Sequence, residues 1–365
     1  MAAALGASPN LTQAQPAAPA AAPSHEAAAA PTESAGGGAG TGVSAAADVA
    51  TAADKACSTL LDRNGAPISK AELATLSQAI DAALASQPGE ARWLLGRALV
   101  LRQSGNAKDA AVLLKQVTAK RPDDPHSFYF LAMSLFESIG PDAGLEAMSI
   151  SDDARTALNT TLQLDPHYVW ARYALSQFYI QAPGFAGGSY RKAREQAKLA
   201  MEEPDNRGDF IGHMILAQIA ENDEEWDDMK REFLAAAEAK GVGANPAWPL
   251  SSLVNALVTK KEDTKAARPV LDRLKVIQGV DPVTIAFAEG EIARREKRLG
   301  DALAEYEKVL AERPEARQSR WYAAECAEKL GERAKAAENY RQFAERFPKD
   351  DKAGKAAKKA RDLSK

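Results

Sequence analysis

The side chains able to do chemistry are few and scattered. The four histidines, His25, His126, His167 and His213, lie far apart, and no pair has the spacing that would set two imidazoles on one helix face, so no metal is expected. The two cysteines, Cys57 and Cys326, are too distant for a ligand pair or a disulfide framework. Each reads as a small core residue. The glycine-rich run 36–42 lacks the lysine of a phosphate loop and follows no strand, which leaves a flexible linker. The stretch from Gly184 to Lys192 places glycines, Ser189, Arg191 and Lys192 at a helix start that could hold an anion. Ser189 as an N-cap and glycines at positive φ account for the same residues. Asp223, Glu224, Glu225, Asp227 and Asp228 surround Trp226 without the glycine and alternation of a calcium loop, and they suit the positive end of a helix. No catalytic residue set and no cofactor emerges, and the chain is not expected to be an enzyme.

The elements that carry these residues read as helices. Hydrophobic residues are 45%, aromatics only 6%, and much of the apolar fraction is alanine. That composition favours closely packed helices over sheets, which need β-branched and aromatic residues. The net charge of -4 lacks the basic excess of a general nucleic-acid binder. No apolar run is long enough to cross a membrane.

Proline marks a period: Pro88 to Pro122 is 34 residues, and Pro314 to Pro348 is again 34. Residues 283–316 and 317–350 superimpose in register, matching Gly290 with Ala324, Ala302 with Ala336, Tyr306 with Tyr340 and Pro314 with Pro348. Each copy holds two amphipathic helices. Small residues stand where the helices approach, an aromatic fills the gap one turn later, and proline stops the second helix. Earlier copies start near 91, 125, 169, 210 and 248, with insertions around Gly140 to Ser149 and at 182–189. The copy near 248 is degenerate, with Asn255 in place of the small residue and Pro269 expected to kink its second helix. Residues 53–88 read as a partial copy opened by a Ser69–Glu72 capping box.

This pattern resembles the tetratricopeptide repeat family over about 300 residues. The resemblance implies an all-α fold, an α-solenoid of about seven helix pairs plus a partial N-terminal one, spanning 53–350. In that family a concave face lined by first helices commonly receives a peptide or a partner protein. Carrying the offsets over from the small packing residues gives a candidate partner-binding groove of Arg92, Leu99, His126, Tyr129, Met133, Trp170, Tyr173, Gln177, Met214, Gln218, Phe287 and Trp321. The lysine and asparagine clamp of the family's chaperone-tail binders is absent, its positions holding Tyr129 and Met133 or Tyr173 and Gln177. The expected role is a non-catalytic scaffold binding a protein or peptide, not nucleic acid. A helical accessory subunit of a larger enzyme, secretion or envelope-assembly complex is the alternative.

The ends differ from the middle. Residues 1–52 are rich in Ala, Pro and Gly, with no lysine or arginine, and are expected to be disordered. Ala2 to Ala14 resembles the tail of a signal peptide whose front is missing. The Gly187-Gly188-Ser189 element and its flanks are similar to exported bacterial tetratricopeptide proteins. Both lean toward an exported, periplasmic protein, with a cytoplasmic one open. Residues 351–365 carry six basic side chains against Asp351 and Asp362 and are expected to form a basic capping helix.

Overall fold

The computed structural model describes residues 42–62, 68–140 and 143–365, so the expectation for residues 1–41 lies outside them. The described residues fall into two compact units, the first taking those up to 222 with 238–245, the second 223–237 with 246–365.

The first unit opens with α1 (Gly42–Asp62) and α2 (Lys70–Ser86). Four further pairs or part-pairs follow: α3 (Ala91–Gln103) with α4 (Ala107–Lys120), α5 (Pro125–Ser138) with α6 (Glu146–Leu164), α7 (Val169–Gln181) with α8 (Tyr190–Met201), and α9 (Asp209–Asn222). Each helix packs on the next in the chain, and α3 also meets α1 and α5 while α7 meets α9. Helix α1 starts inside the segment that composition assigns to the tail. Alanine is the best helix former, and no proline follows Pro31 until Pro67, so Ala53, Ala56, Cys57 and Leu60 come to share a buried face. Gly96 admits them: a Cβ there would lie 2.4 Å from the Cys57 Sγ.

Local chemistry sets the boundaries. Asp124 caps α5 by accepting from the His126 N–H at 3.2 Å, with Pro125 in the first turn, where a missing N–H costs nothing. Ser69 accepts from the Glu72 N–H at 3.2 Å. The turn between α7 and α8 is built as expected: Gly187 sits at φ +95° and Ser189 caps α8. A Cβ at Gly188 would meet the Ala182 carbonyl oxygen at 1.7 Å. The insertion before α6 partly lengthens that helix to 19 residues.

The second unit holds α10 (Trp226–Glu238, its last residue counted with the first unit), α11 (Ala247–Thr259), α12 (Thr264–Lys275), α13 (Pro282–Arg295), α14 (Leu299–Glu312), α15 (Arg317–Leu330), α16 (Arg333–Arg346) and α17 (Ala353–Leu363). From α11 onward neighbours in sequence pack together, and α11 also meets α13. The expected packing residues meet as drawn: a Cβ at Gly290 would lie 2.9 Å from the Tyr306 ring, and Ala302, Ala324 and Ala336 are fully buried. Two details differ. Ala256, not Asn255, is the buried small residue of α11. Helix α12 runs through Pro269, forgoing one backbone bond, while Val270, Leu271 and Leu274 stay buried. Within the two units, six packed pairs follow the N-terminal pair among the described residues.

Candidate functional site

The candidate groove residues of the first unit divide by depth. Leu99, Tyr129, Met133, Tyr173, Gln177 and Met214 are buried, while Arg92, His126, Trp170 and Gln218 keep part of their surface. Arg92 is spent on docking α1: its guanidinium pairs with Asp54 at 2.9 Å and stacks on Trp93, whose indole N–H donates to the same carboxylate at 3.2 Å.

The others form a row across α5, α7 and α9. The His126 ring meets the edge of Tyr168, centroids 5.3 Å apart, and Tyr129 lies 5.0 Å from Tyr168. Trp170 and Tyr173 are perpendicular neighbours at 6.1 Å. The Gln218 amide donates to the Tyr173 hydroxyl at 3.0 Å, the Gln177 amide donates to the Gln218 carbonyl, and Gln181 donates to Gln177 at 3.4 Å. The link between Gln177 and Gln218 ties two successive first helices by their amides.

Tyr168 and Arg102 complete the row, and sequence pattern leaves Tyr168 out. It precedes the first turn of α7, so helical offsets counted from a packing alanine do not reach it. Beneath it, Arg102 holds Glu137 through two nitrogens at 2.8 and 2.6 Å, a fork geometry that fixes both side chains. Burial pulls the Arg102 pKa down, but the Glu137 carboxylate more than offsets it and the guanidinium stands above its ordinary value. Burial pushes the Tyr168 and Tyr173 hydroxyls well above theirs, so both stay neutral hydrogen-bonding groups. Burial also acts to raise Asp124, yet bonds from His126 and Ser127 and the charge of Arg121 prevail and hold it low.

In the second unit Phe287 lies half-buried against Tyr306, 6.3 Å between centroids. Trp321 is buried against Tyr340 and Phe343, at 5.5 and 5.2 Å, under the ammonium groups of Lys352 and Lys355. Burial raises both cysteines to about 11, which leaves them as protonated packing groups. Among the described residues, no three His, Cys, Asp or Glu stand close enough to hold a metal ion, and no helix is long and apolar enough to cross a membrane.

Sequential helix pairs with interlocked small and aromatic residues define a helical-repeat protein. The tetratricopeptide repeat family matches residues 77–125 and 287–351, and the helix pairs form a tetratricopeptide-like repeat array. A tetratricopeptide repeat protein from Parabacteroides merdae ATCC 43184 is similar in structure, with TM-score 0.52 and 13% identity over 75% of this chain and 98% of that one. Human IFIT1, solved as a dimer with m7Gppp-AAAA, is similar with TM-score 0.54 and 15% identity over 86% of this chain and 72% of that one. At such identities the likeness is one of fold. A comparison with curated proteins finds no match.

Proposed function

We propose that the chain is a non-catalytic protein-interaction scaffold that takes an extended peptide or partner segment along the first helices α5, α7 and α9. The observation that carries this reading is the row His126, Tyr168, Trp170, Gln177 and Gln218, where a group of rings adjoins a pair of linked amides. Rings supply apolar contact and amides supply both donors and acceptors, the combination that suits a peptide main chain. The ionisable groups nearby support a binding role over a catalytic one. Asp124 is committed to the cap of α5 and to Ser127, 2.5 Å away, and Arg102 to Glu137. IFIT1 was solved with a capped oligonucleotide, but the row here combines its rings with neutral amides and one buried, paired arginine, which favours a protein partner over a phosphate backbone. The Ala/Pro-rich start supports an exported protein, and an accessory subunit of a larger assembly would use the same row.

The depth of the row dictates the test. Tyr129→Ala or Tyr173→Ala would excavate the core at about 3–5 kcal/mol and confuse unfolding with lost binding. His126→Ala combined with Gln218→Ala trims only part-exposed groups. A protein retained from the native host by the parent chain and lost by this double variant, at unchanged helicity, supports the reading. A partner held equally by both refutes the placement, and the absence of any partner refutes the scaffold.

A further inference from the structure

Helix α17 seals the last repeat with three alanines, Ala353, Ala356 and Ala360, against Trp321, Ala324, Tyr340 and Phe343. Much of the remaining circumference is basic. Lys352, Lys355 and Lys359 follow one edge at helical spacing and lie over the aromatic layer, the first two at 4.9 and 5.5 Å from the centre of Trp321 and the third at 5.2 Å from Tyr340. Lys358 and Arg361 are exposed and continue the same arc from Lys355 at three-residue steps, away from the rings. Three of the local carboxylates are already engaged. Glu328 receives Lys359 and the Tyr340 hydroxyl, Asp350 receives Arg317 and the Lys352 N–H, and Asp362 lies nearest Lys365, at 3.8 Å. Lys352, Lys355, Lys358 and Arg361 form no ion pair with the described residues.

Two ammonium groups pinned on one indole outside any direct ion pair, backed by two more cations a turn away, make a cationic strip on a chain of net charge -4. We propose that this face of α17 docks an acidic segment of a partner protein. The chemistry selects the occupant. A membrane-binding helix needs a free apolar face, and here that face is spent on the aromatic layer. A single-stranded nucleic acid needs open rings for its bases, and Trp321, Tyr340 and Phe343 are buried. An 11-residue helix is about 16 Å long, a span suited to a few glutamate or aspartate side chains. Lysine stems already ordered on the rings lose little freedom on binding. This proposal does not rest on the amide row, which belongs to other helices.

The test uses the full chain and a fluorescent decapeptide of alternating Glu and Ser, read by anisotropy at low and high salt. Binding that weakens with salt, and that falls about tenfold when Lys352→Gln, Lys355→Gln and Lys358→Gln remove three exposed ion pairs, is the expected result. The triple change to arginine should retain it. Should the glutamine variant lose helicity, Lys358→Glu with Arg361→Glu carries the same test at positions touching no ring. No binding by the parent, equal binding by the charge-removed variants, or tighter binding of a single-stranded RNA decamer or of phosphatidylserine vesicles than of the peptide would overturn the proposal.

Discussion

The seating of α1 on α3 turns on Gly96. A Cβ at this position would lie 2.4 Å from the Cys57 Sγ, far inside normal contact with α1, and 3.0 Å from Ile80 Cδ1, a tight contact with α2. Gly96→Ala therefore forces the N-terminal pair away from α3. Overpacking of this kind costs about 1–3 kcal/mol, and alanine regains about 1 kcal/mol over glycine within a helix. The net loss expected is about 1 kcal/mol. A global melt of a repeat protein spreads over many units, so Cys57 itself should be the reporter. Its thiol is 6% exposed, contacts the Arg92 carbonyl at 3.4 Å, and is raised by burial to about 11. Labelling by a thiol reagent then requires α1 to lift away. In a Cys326→Ala background, where Cys57 is the sole thiol, Gly96→Ala should label about fivefold faster at fixed pH, the factor that 1 kcal/mol of easier opening gives. Labelling at the parent rate or slower would mean that alanine acted through helix propensity alone, and that α1 does not sit on α3.

Other perturbations test other layers. Gly188→Ala should break the 182–189 turn, because its Cβ would meet the Ala182 carbonyl at 1.7 Å; a loss of roughly 1–3 kcal/mol in urea and new protease cleavage in this turn are expected, and a silent variant would contradict the turn geometry. Tyr306→Phe removes the hydroxyl that donates to the buried Glu291 at 2.5 Å, leaving Arg294 as its remaining side-chain partner at 2.7 Å; denaturation should show a cost of about 1–3 kcal/mol. Ala302→Trp, at a fully buried contact, should cost about 3 kcal/mol or more, and a parent-like melt would mean the repeat register is misplaced. Asp124 has a folded pKa held below its ordinary value, so its contribution is fully present above the unfolded carboxylate pKa and is lost as pH falls below about 4. Asp124→Asn should flatten that acid limb of the stability curve, and an unchanged slope would place the acid sensitivity elsewhere.

The repeat was legible because the helix interfaces constrain residue type. Gly290 must be small since the Tyr306 ring occupies its side-chain space, and the same demand recurs 34 residues later at Ala324. Where the demand slackens, the pattern misleads. In α11 the buried alanine stands at 256, and the neighbouring Asn255, where the pattern looks for the small residue, is exposed. Helix α1 was hidden in composition, since an alanine-rich stretch shows helix propensity whether or not anything packs on it. What decided its fate is Gly96, a residue of the opposing helix that no reading of the tail alone would weigh.

The site is less legible than the fold for a related reason. Repeat offsets identify the side of a first helix from which a side chain leaves, but neighbouring repeats decide how much of that side chain they consume. Tyr129 and Tyr173 take offsets equivalent to those of partner-contacting residues, yet Tyr168, Trp170 and Gln218 cover them, and their rings became part of the layer beneath the surface. The polar residues next to them inherited the exposure. Gln218 matters because Tyr173 and Gln177 orient its amide, and Tyr168 matters although it stands outside the helix from which offsets are counted. The same logic holds at the far end, where α17 buries Trp321 and transfers its surface to Lys352 and Lys355. An aromatic position that a repeat pattern marks for contact has there been converted into a cationic one by the helix that covers it. The chemistry at each candidate surface is thus set by the second layer of side chains, whose identity follows from local pairing and not from the period of the repeat.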